Sequence, residues 1–304
     1  MSATTGSVTV VLNAHAGALD TRVRRQDVAA AFANTRLVPT IVEATGDRIA
    51  DAARRAVDSG STILVAAGGD GTVNAVATAL ADTGATLGVL PLGTLNHFAR
   101  DLGIPRDLRA AIATIADGAV ARIDVGEVNA HLFVNNASVG LYPRLVWERT
   151  REQARGWAKL PAFLLALARV WRRYRRVAVT VHDGHDERVI RTPFVFVGNN
   201  EYLLEGVRIG ARAHLDRGYL HVCMAPGLQR LDVARILLTA LAGRLHAIDQ
   251  LESLRTRQLS IAAHRRRLGV TLDGELRVLN TPLRYRIRPG ALRVIVPRDR
   301  QVTA

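Results

Sequence analysis

The stretch TILVAAGGDGTVNAVATAL, Thr62 to Leu80, decides how the chain is read. Thr62–Ala67 is apolar without alternation, which predicts a strand buried on both faces. Val73–Leu80 has the composition of a helix. Between them GGDGT, Gly68–Thr72, must turn a strand into a helix N-terminus. Glycine there tolerates positive φ and lets backbone N–H groups approach a phosphate with no Cβ in the way. The helix start adds unpaired donors and a partial positive charge. Thr72 offers a hydroxyl, and Asp70 a carboxylate for Mg²⁺ or its waters. The spacing matches neither G-x-x-x-x-G-K-[ST] nor G-x-G-x-x-G. The plain alternative is an ordinary strand-to-helix turn.

Outward from this stretch the same alternation continues. Val8–Leu12 reads as a strand, Arg22–Asn34 as a helix, Leu37–Val42 as a strand and Asp47–Asp58 as a helix. Thr86–Leu90 is a further strand and Leu95–Asp101 a further helix. Strands separated by such helices predict a parallel sheet with right-handed crossovers. The strand Thr86–Leu90 again leads to a Gly-Thr pair, Gly93 and Thr94, before a helix carrying Asn96. The loop NAHAG puts Asn13 and Gly17 on the same rim, where open α/β sheets bind ligands. Thr45 is included with this nucleotide-binding set.

After Ile123 the texture changes to short valine-rich runs bounded by turn residues: Arg122–Val128, His131–Ala137, Val177–His182, Val189–Val197 and Tyr219–Met224. These predict an antiparallel, β-rich second domain, interrupted by helical insertions at Pro143–Tyr174 and Leu231–Leu251. Strands near Arg267–Leu272, Leu283–Ile287 and Leu292–Val296 end the chain. The expected fold is α/β: a parallel-sheet nucleotide-binding domain over 1–122, then a β-rich, sandwich-like domain over 123–304. A cleft lies between them, and the last strand is free to return to the first domain.

Composition narrows the classes. The net charge of +14 is almost all arginine, with Lys159 the one lysine, and favours anionic partners without choosing among them. Cys223 is alone, so no intrachain disulfide forms and a zinc site would need mainly non-thiol ligands, which suits a reducing cytosol. Met1–Gly6 lacks the charged and apolar parts of a secretion signal. No uncharged apolar run reaches the ~18–20 residues that span a bilayer. The expectation is a cytoplasmic protein, peripheral at the inner membrane face.

The strings VLNAHAG, GGDGTVNAV, GVLPLGTLNHFAR, IDVGEVN, FVNNASVG, VGNNEY, LDRGYLHV, LDGEL and RPGALRVIVP, in this order from about Thr9 to Pro297, resemble the diacylglycerol kinase-like lipid kinases, whose catalytic domain sphingosine and ceramide kinases share. The resemblance implies an ATP- and Mg²⁺-dependent phosphotransferase acting on a lipid hydroxyl at an anionic membrane surface. It implies Asp273 of LDGEL as general base and Glu275 with Asp70 in the metal network. Asp216 of LDRG is a further metal candidate. From the residues alone, two acids flanking Gly274 project to one face of an extended strand, or sit on a type I′ hairpin turn. The chain departs from the family at His97 and Arg217, where acids are usual. That disfavours a separate structural cation and lets Arg217 pair with Asp70 or Glu275. Two other readings stay open: a soluble-substrate kinase of the NAD kinase type, and a catalytically silent nucleotide-binding protein at membranes. Nucleic acid is not an expected partner, and nothing points to an oligomeric state.

Three further segments have plainer readings beside a functional one. Trp157–Val177 joins an apolar stretch to five arginines: an interfacial helix, a domain helix with a solvated basic end or, as the least favoured reading, a track for a nucleic-acid backbone. His182–Glu187 has metal-like residues but reads as a hairpin turn. His264 with Arg265, Arg266 and Arg267 reads as a solvated turn, with a phosphate contact as the alternative.

Overall fold

The structure, a computed structural model, describes residues 7–15, 25–140, 177–182, 187–203, 211–226, 229 and 252–299. The expected helices Pro143–Tyr174 and Leu231–Leu251, the turn after His182, and Gly17 lie wholly or mostly outside those residues. The chain divides into two compact units. One comprises Met1–Val125, Ala211–Arg217 and Arg288–Ala304, the other Gly126–Gly210 and Gly218–Ile287.

In the first unit four strands run parallel: β1 (Val8–Asn13), β2 (Pro39–Ala44), β3 (Ile63–Gly68) and β4 (Thr86–Pro91). Their order is β2-β1-β3-β4. Every β3 residue after Ile63 is buried, as the unalternating apolar run requires. The crossovers are α1 (Arg25–Phe32), α2 (Arg48–Asp58) and α3 (Asp70–Leu80), followed by α4 (His97–Asp101) and α5 (Leu108–Asp117). Helix α2 buries Ile49, Ala52, Ala53 and Ala56, the i, i+3, i+4, i+7 stripe of a helix lying on a sheet. Helix α5 was not anticipated. Its signal is Asp107, whose carboxylate accepts a hydrogen bond from Ala110 N at 2.9 Å, an N-cap that satisfies a donor left over at the helix start. Arg293 and Val294 of the long strand β16 (Leu283–Val296) pair parallel with Thr86 and Leu87.

The second unit is antiparallel. It holds β6 (His131–Phe133), β7 (Asn136–Gly140), β8 (Val177–His182), β9 (Glu187–Thr192), β10 (Phe194–Asn199), β11 (Leu220–Met224), β12 (Glu252–Thr256), β13 (Gln258–Ala262), β14 (Arg267–Leu272) and β15 (Glu275–Asn280). It also holds the last residues of β5 (Ala119–Val128) and the first of β16. One sheet runs β12-β11-β10-β7-β14-β15. Strand β13 pairs with β8 and with Leu283–Arg286 of β16. The core packs Val139, Val195, Val197 and Val222 with Ile261, Val270 and Tyr285. Two expected strands are broken. Val189–Val197 splits at Pro193, which has no N–H to give a ladder. His131–Ala137 splits at Val134 and Asn135, for a reason that belongs to the site.

Candidate active site

In a β2-β1-β3-β4 sheet the chain leaves β1 in one direction for β2 and returns on the other side as β3. The carboxyl ends of β1 and β3 therefore flank a topological switch point, where open parallel sheets bind ligands. Asn13 ends β1, and Gly68 ends β3 with Thr72 one helical turn on. Asn13 Nδ2 donates to Thr72 Oγ1 at 3.0 Å, so two strand ends are joined across the switch point. Thr45 follows β2 beside them, since Asn13 pairs with Ala44.

Helix α3 begins at Asp70, earlier than the apolar run suggests, because Gly69 is extended (φ −88°, ψ −172°) and serves as its N-cap. The first intrahelical bond runs from Val73 N to Gly69 O at 3.0 Å. The N–H groups of Asp70, Gly71 and Thr72 precede it, the arrangement that makes a helix start receptive to anions. The second loop presses directly on this one. A Cβ on Gly93 would lie 2.4 Å from the Gly69 Cα and 2.7 Å from Asn96 Oδ1, and one on Gly68 would lie 2.3 Å from Thr72 Oγ1. Only glycine lets the loops meet.

Asn96 explains the shape of the second loop. It is buried and left-handed at φ 50°. Its Oδ1 accepts from Gly93 N at 3.0 Å, and its Nδ2 donates to Gly93 O at 2.7 Å and Pro91 O at 3.1 Å. Asn96, Asn13 and the buried Thr72 hydroxyl are thus structural members of the cradle, while Gly71 and Thr94 face solvent. Asp70 Oδ1 accepts from Phe98 N at 3.2 Å, tying the first loop to the start of α4. His97 Nδ1 lies 3.1 Å from Arg100 Nη2. In the same unit, Asp216 Oδ1 is buried with no hydrogen-bond partner among the described residues, and Arg217 Nη2 lies 3.1 Å from His214 Nε2.

In the second unit Asp273 and Gly274 form the two-residue turn between β14 and β15, with φ of 48° and 87°. Two left-handed residues in such a loop make a type I′ turn. This corrects one expectation: Asp273 and Glu275 do not project from one face of an extended strand. Glu275 is the exposed first residue of β15 and pairs with Arg277 at 3.3 Å. Asp273, however, is no surface acid. Val134 N donates to its Oδ2 at 2.8 Å, and Asn135 N and Asn136 N donate to its Oδ1 at 2.7 and 2.9 Å. Its own N–H donates to Asn136 O at 2.9 Å. Three consecutive amides turned toward one carboxylate form an anion-holding nest, and they interrupt the strand between β6 and β7.

The nest has its own support, which the sequence reading left without a role. Asn199 N donates to Asn135 O at 2.9 Å, and Asn199 Nδ2 to Val134 O at 3.0 Å. Asn136 Nδ2 donates to the Tyr202 hydroxyl at 3.3 Å. Tyr202 N in turn donates to His221 Nδ1 at 3.3 Å. The paired asparagines of FVNNASVG and VGNNEY were the available signal, since asparagine is the residue that both tolerates left-handed backbone, as Asn200 does at φ 65°, and bonds locally. Burial holds the His221 imidazole below its ordinary value, against a smaller opposing effect of Glu201. Burial pushes the Cys223 thiol up to about 11. Glu201 is held below the usual carboxylate range, first by its hydrogen bond from Arg255, at 2.6 Å.

Glycine-rich loops at a sheet switch point in the first unit, and a fixed aspartate in the second, are each features that a kinase, a phosphotransferase, uses. The comparisons agree. Residues 7–128 match the family model described as the diacylglycerol kinase catalytic domain, and residues 146–296 that of the YegS C-terminal NAD kinase beta sandwich-like domain. A probable lipid kinase YegS-like of Pseudomonas fluorescens is 34% identical over 251 residues, covering 81% of each chain. A diacylglycerol kinase of Staphylococcus saprophyticus is 25% identical over 241 residues, covering 77% of this chain and 76% of the other. The solved structure of a putative diacylglycerol kinase from Bacillus anthracis has the same fold. Its TM-score is 0.72 at 21% identity, over 96% of this chain and 97% of that one. The chain belongs to the diacylglycerol kinase-like lipid kinase family.

Proposed function

We propose that the protein transfers the γ-phosphoryl group of ATP to the hydroxyl of a lipid of the diacylglycerol type, working in the cytoplasm at the inner, anionic membrane face. The observation that carries the reading is the Asp273 carboxylate held by three successive amides, 134 to 136. A kinase has little covalent chemistry to perform beyond positioning and charge stabilisation, and a carboxylate locked on a rigid turn is a positioned acceptor for the hydroxyl proton. As the lipid oxygen forms its bond to phosphorus and the bond to the ADP oxygen breaks, that proton passes to Asp273 and then to solvent.

The cradle fits a nucleotide phosphate: close glycine backbones leave the N–H groups of Asp70 to Thr72 at its floor. Asn13, Thr45, Gly93, Thr94 and Asn96 shape its rim, and Gly17 follows Asn13 in the chain. ATP supplies the transferred group, and Mg²⁺ offsets its charge. By the family resemblance Asp70 and Glu275 are each proposed as ligands of the metal or its waters. Asp216 Oδ1, buried without a hydrogen-bond partner among the described residues, is a further candidate for a cation or water. No group of three or more His, Cys, Asp or Glu among the described residues could hold a metal unaided. No described helix is long and apolar enough to cross a membrane.

The test is radiolabelled ATP with hydroxylated lipids in detergent micelles, beside NAD without lipid. Labelled lipid is expected, reduced about 100-fold or more in Asp273→Asn while Mg-ATP still raises the melting temperature. Equal turnover by Asp273→Asn would remove the base. Labelled NADP without labelled lipid would favour the soluble-substrate reading, which the NAD kinase-like description of the second domain supports. Stabilisation by Mg-ATP without turnover would favour a silent nucleotide-binding protein.

A further inference from the structure

The run His264–Arg267, a solvated turn from sequence, is one side of a stiff basic rim on the second unit. Three connections meet there. Asn129, in the β5–β6 turn, donates from Nδ2 to Asn280 O at 2.8 Å, and its Oδ1 accepts from Arg284 N at 2.8 Å. Its own N–H donates to Arg284 O at 3.1 Å. Thr281, between β15 and β16, donates from N to Arg266 O at 3.0 Å and from its hydroxyl to Arg265 O at 2.9 Å. The turn residues Asn129 and Ala130 both stand at positive φ, 46° and 68°. An alanine there is disfavoured, so the Asn129 bonds hold the turn in place.

These connections border an open concavity of about 620 Å³, lined by Asn129, Gln258, Thr281, Arg284 and Arg286 among others. Arg265, Arg266, Arg267 and Arg284 are all exposed. None of the four has an ion-pair partner among the described residues. The acid on the concavity is Glu127, and its Oε2 lies 2.9 Å from Arg286 Nη2. Four exposed arginines without an ion pair among the described residues are therefore carried on neighbouring, mutually braced backbone segments. Two other exposed arginines of this unit do find acids: Arg255 with Glu201, and Arg277 with Glu275.

Guanidinium forks match phosphate oxygens. The concavity is wide and open, and the exposed arginines on and beside it are spread over a turn and a strand, as a surface of many phosphates demands. No exposed aromatic ring lines it for stacking bases, because Tyr285 lies in the core. We propose that this rim docks the protein on an anionic phospholipid bilayer. The proposal rests on the lipid-kinase reading, since a lipid acceptor requires the enzyme to work at that surface.

Each basic residue near an anionic membrane is worth about fivefold in partitioning. The experiment is co-sedimentation of the full chain with phosphatidylcholine vesicles, with and without phosphatidylglycerol. The rim variant R265Q/R266Q/R267Q/R284Q is compared with R36Q/R54Q/R55Q/R109Q, which removes the same charge from exposed positions of the first unit. Wild type should bind only the anionic vesicles, less so as salt rises. The rim variant should lose at least about tenfold in partitioning and the control about twofold, while the rim variant phosphorylates lipid in uncharged micelles at the wild-type rate. Should the rim variant fail to fold, R265Q/R284Q carries the same comparison with a smaller loss. Equal binding by the rim variant and wild type overturns the proposal, as does equal loss in both variants. Retardation of nucleic acid without vesicle binding also overturns it. A chain that docks through the rim yet phosphorylates no lipid in micelles would sink the kinase reading and leave the docking surface standing.

Discussion

Gly93→Ala tests whether the two glycine loops form one cradle. The added Cβ would sit 2.4 Å from the Gly69 Cα and 2.7 Å from Asn96 Oδ1, against the ~3.5 Å of ordinary carbon contact. Neither neighbour can swing away: one is backbone, and the other is locked by its bond from Gly93 N at 3.0 Å. The loops must part by about 1 Å, an overpacking strain of about 1–3 kcal/mol. No positive φ is involved at Gly93, so the effect is steric. Gly84→Ala is the control: it too lacks positive φ, and its Cβ would meet nothing within 4 Å, so it should be neutral or stabilising by ~0.4–1 kcal/mol. Urea unfolding should place Gly93→Ala about 2 kcal/mol below Gly84→Ala. The rise in melting temperature with Mg-ATP should vanish in the first and persist in the second. If the two variants agree within about 0.5 kcal/mol and both respond to Mg-ATP, the loops do not bear on one another as argued.

Arg212→Met should cost about 3–5 kcal/mol in denaturant unfolding, because it strips the 2.8 Å partner from the buried Asp101 carboxylate, whose side chain is 2% exposed. Adding Asp101→Leu should recover most of that loss. His221 has its folded value lowered by burial, so its contribution is present above pH ~6.5 and fades as pH falls through the lowered value; the melting temperature should drop on that acid limb, less steeply in His221→Asn. The Cys223 thiol, pushed up to about 11, should resist iodoacetamide in the folded protein at pH 8 and react quickly once urea unfolds it.

The first unit was legible because its signals are local. An apolar run without alternation means a strand buried on both faces, and β3 is one. Alanines at helical spacing mean a helix on a sheet, and α2 is one. Where a backbone feature overrode composition the reading slipped. Helix α3 takes in Asp70–Thr72 because an extended Gly69 caps it, although GGDGT has a loop's composition. In the second unit β12, β13 and β15 were missed, since edge and half-exposed strands such as Glu252–Thr256 carry arginine and serine where a core strand carries valine.

The site divides along the same line. Residue types that touch a phosphate are visible in a sequence; groups that only brace them are visible once the chain is folded. Asn96 reads from the sequence as a nucleotide-binding residue, and the fold adds that it is the peg of its own loop. Asp273 makes the point more sharply, because a turn residue and the proposed general base are not competing readings of it. A type I′ turn needs left-handed backbone at both central positions, which aspartate tolerates and glycine prefers, so Asp-Gly is the natural turn. The nest formed by amides 134–136 then requires an acceptor with no hydrogen of its own facing three donors. Asparagine at 273 would satisfy the turn but lose one oxygen to an amide. Charged hydrogen bonds of this kind are worth about 1.5–3 kcal/mol each. Asp273→Asn should therefore lower stability by roughly that amount in addition to its effect on turnover, whereas Gly274→Ala should strain the turn at φ 87° and spare the nest. If Asp273→Asn unfolds at the wild-type urea midpoint, the amides are not holding the carboxylate, and the proposed base has no fixed place from which to act.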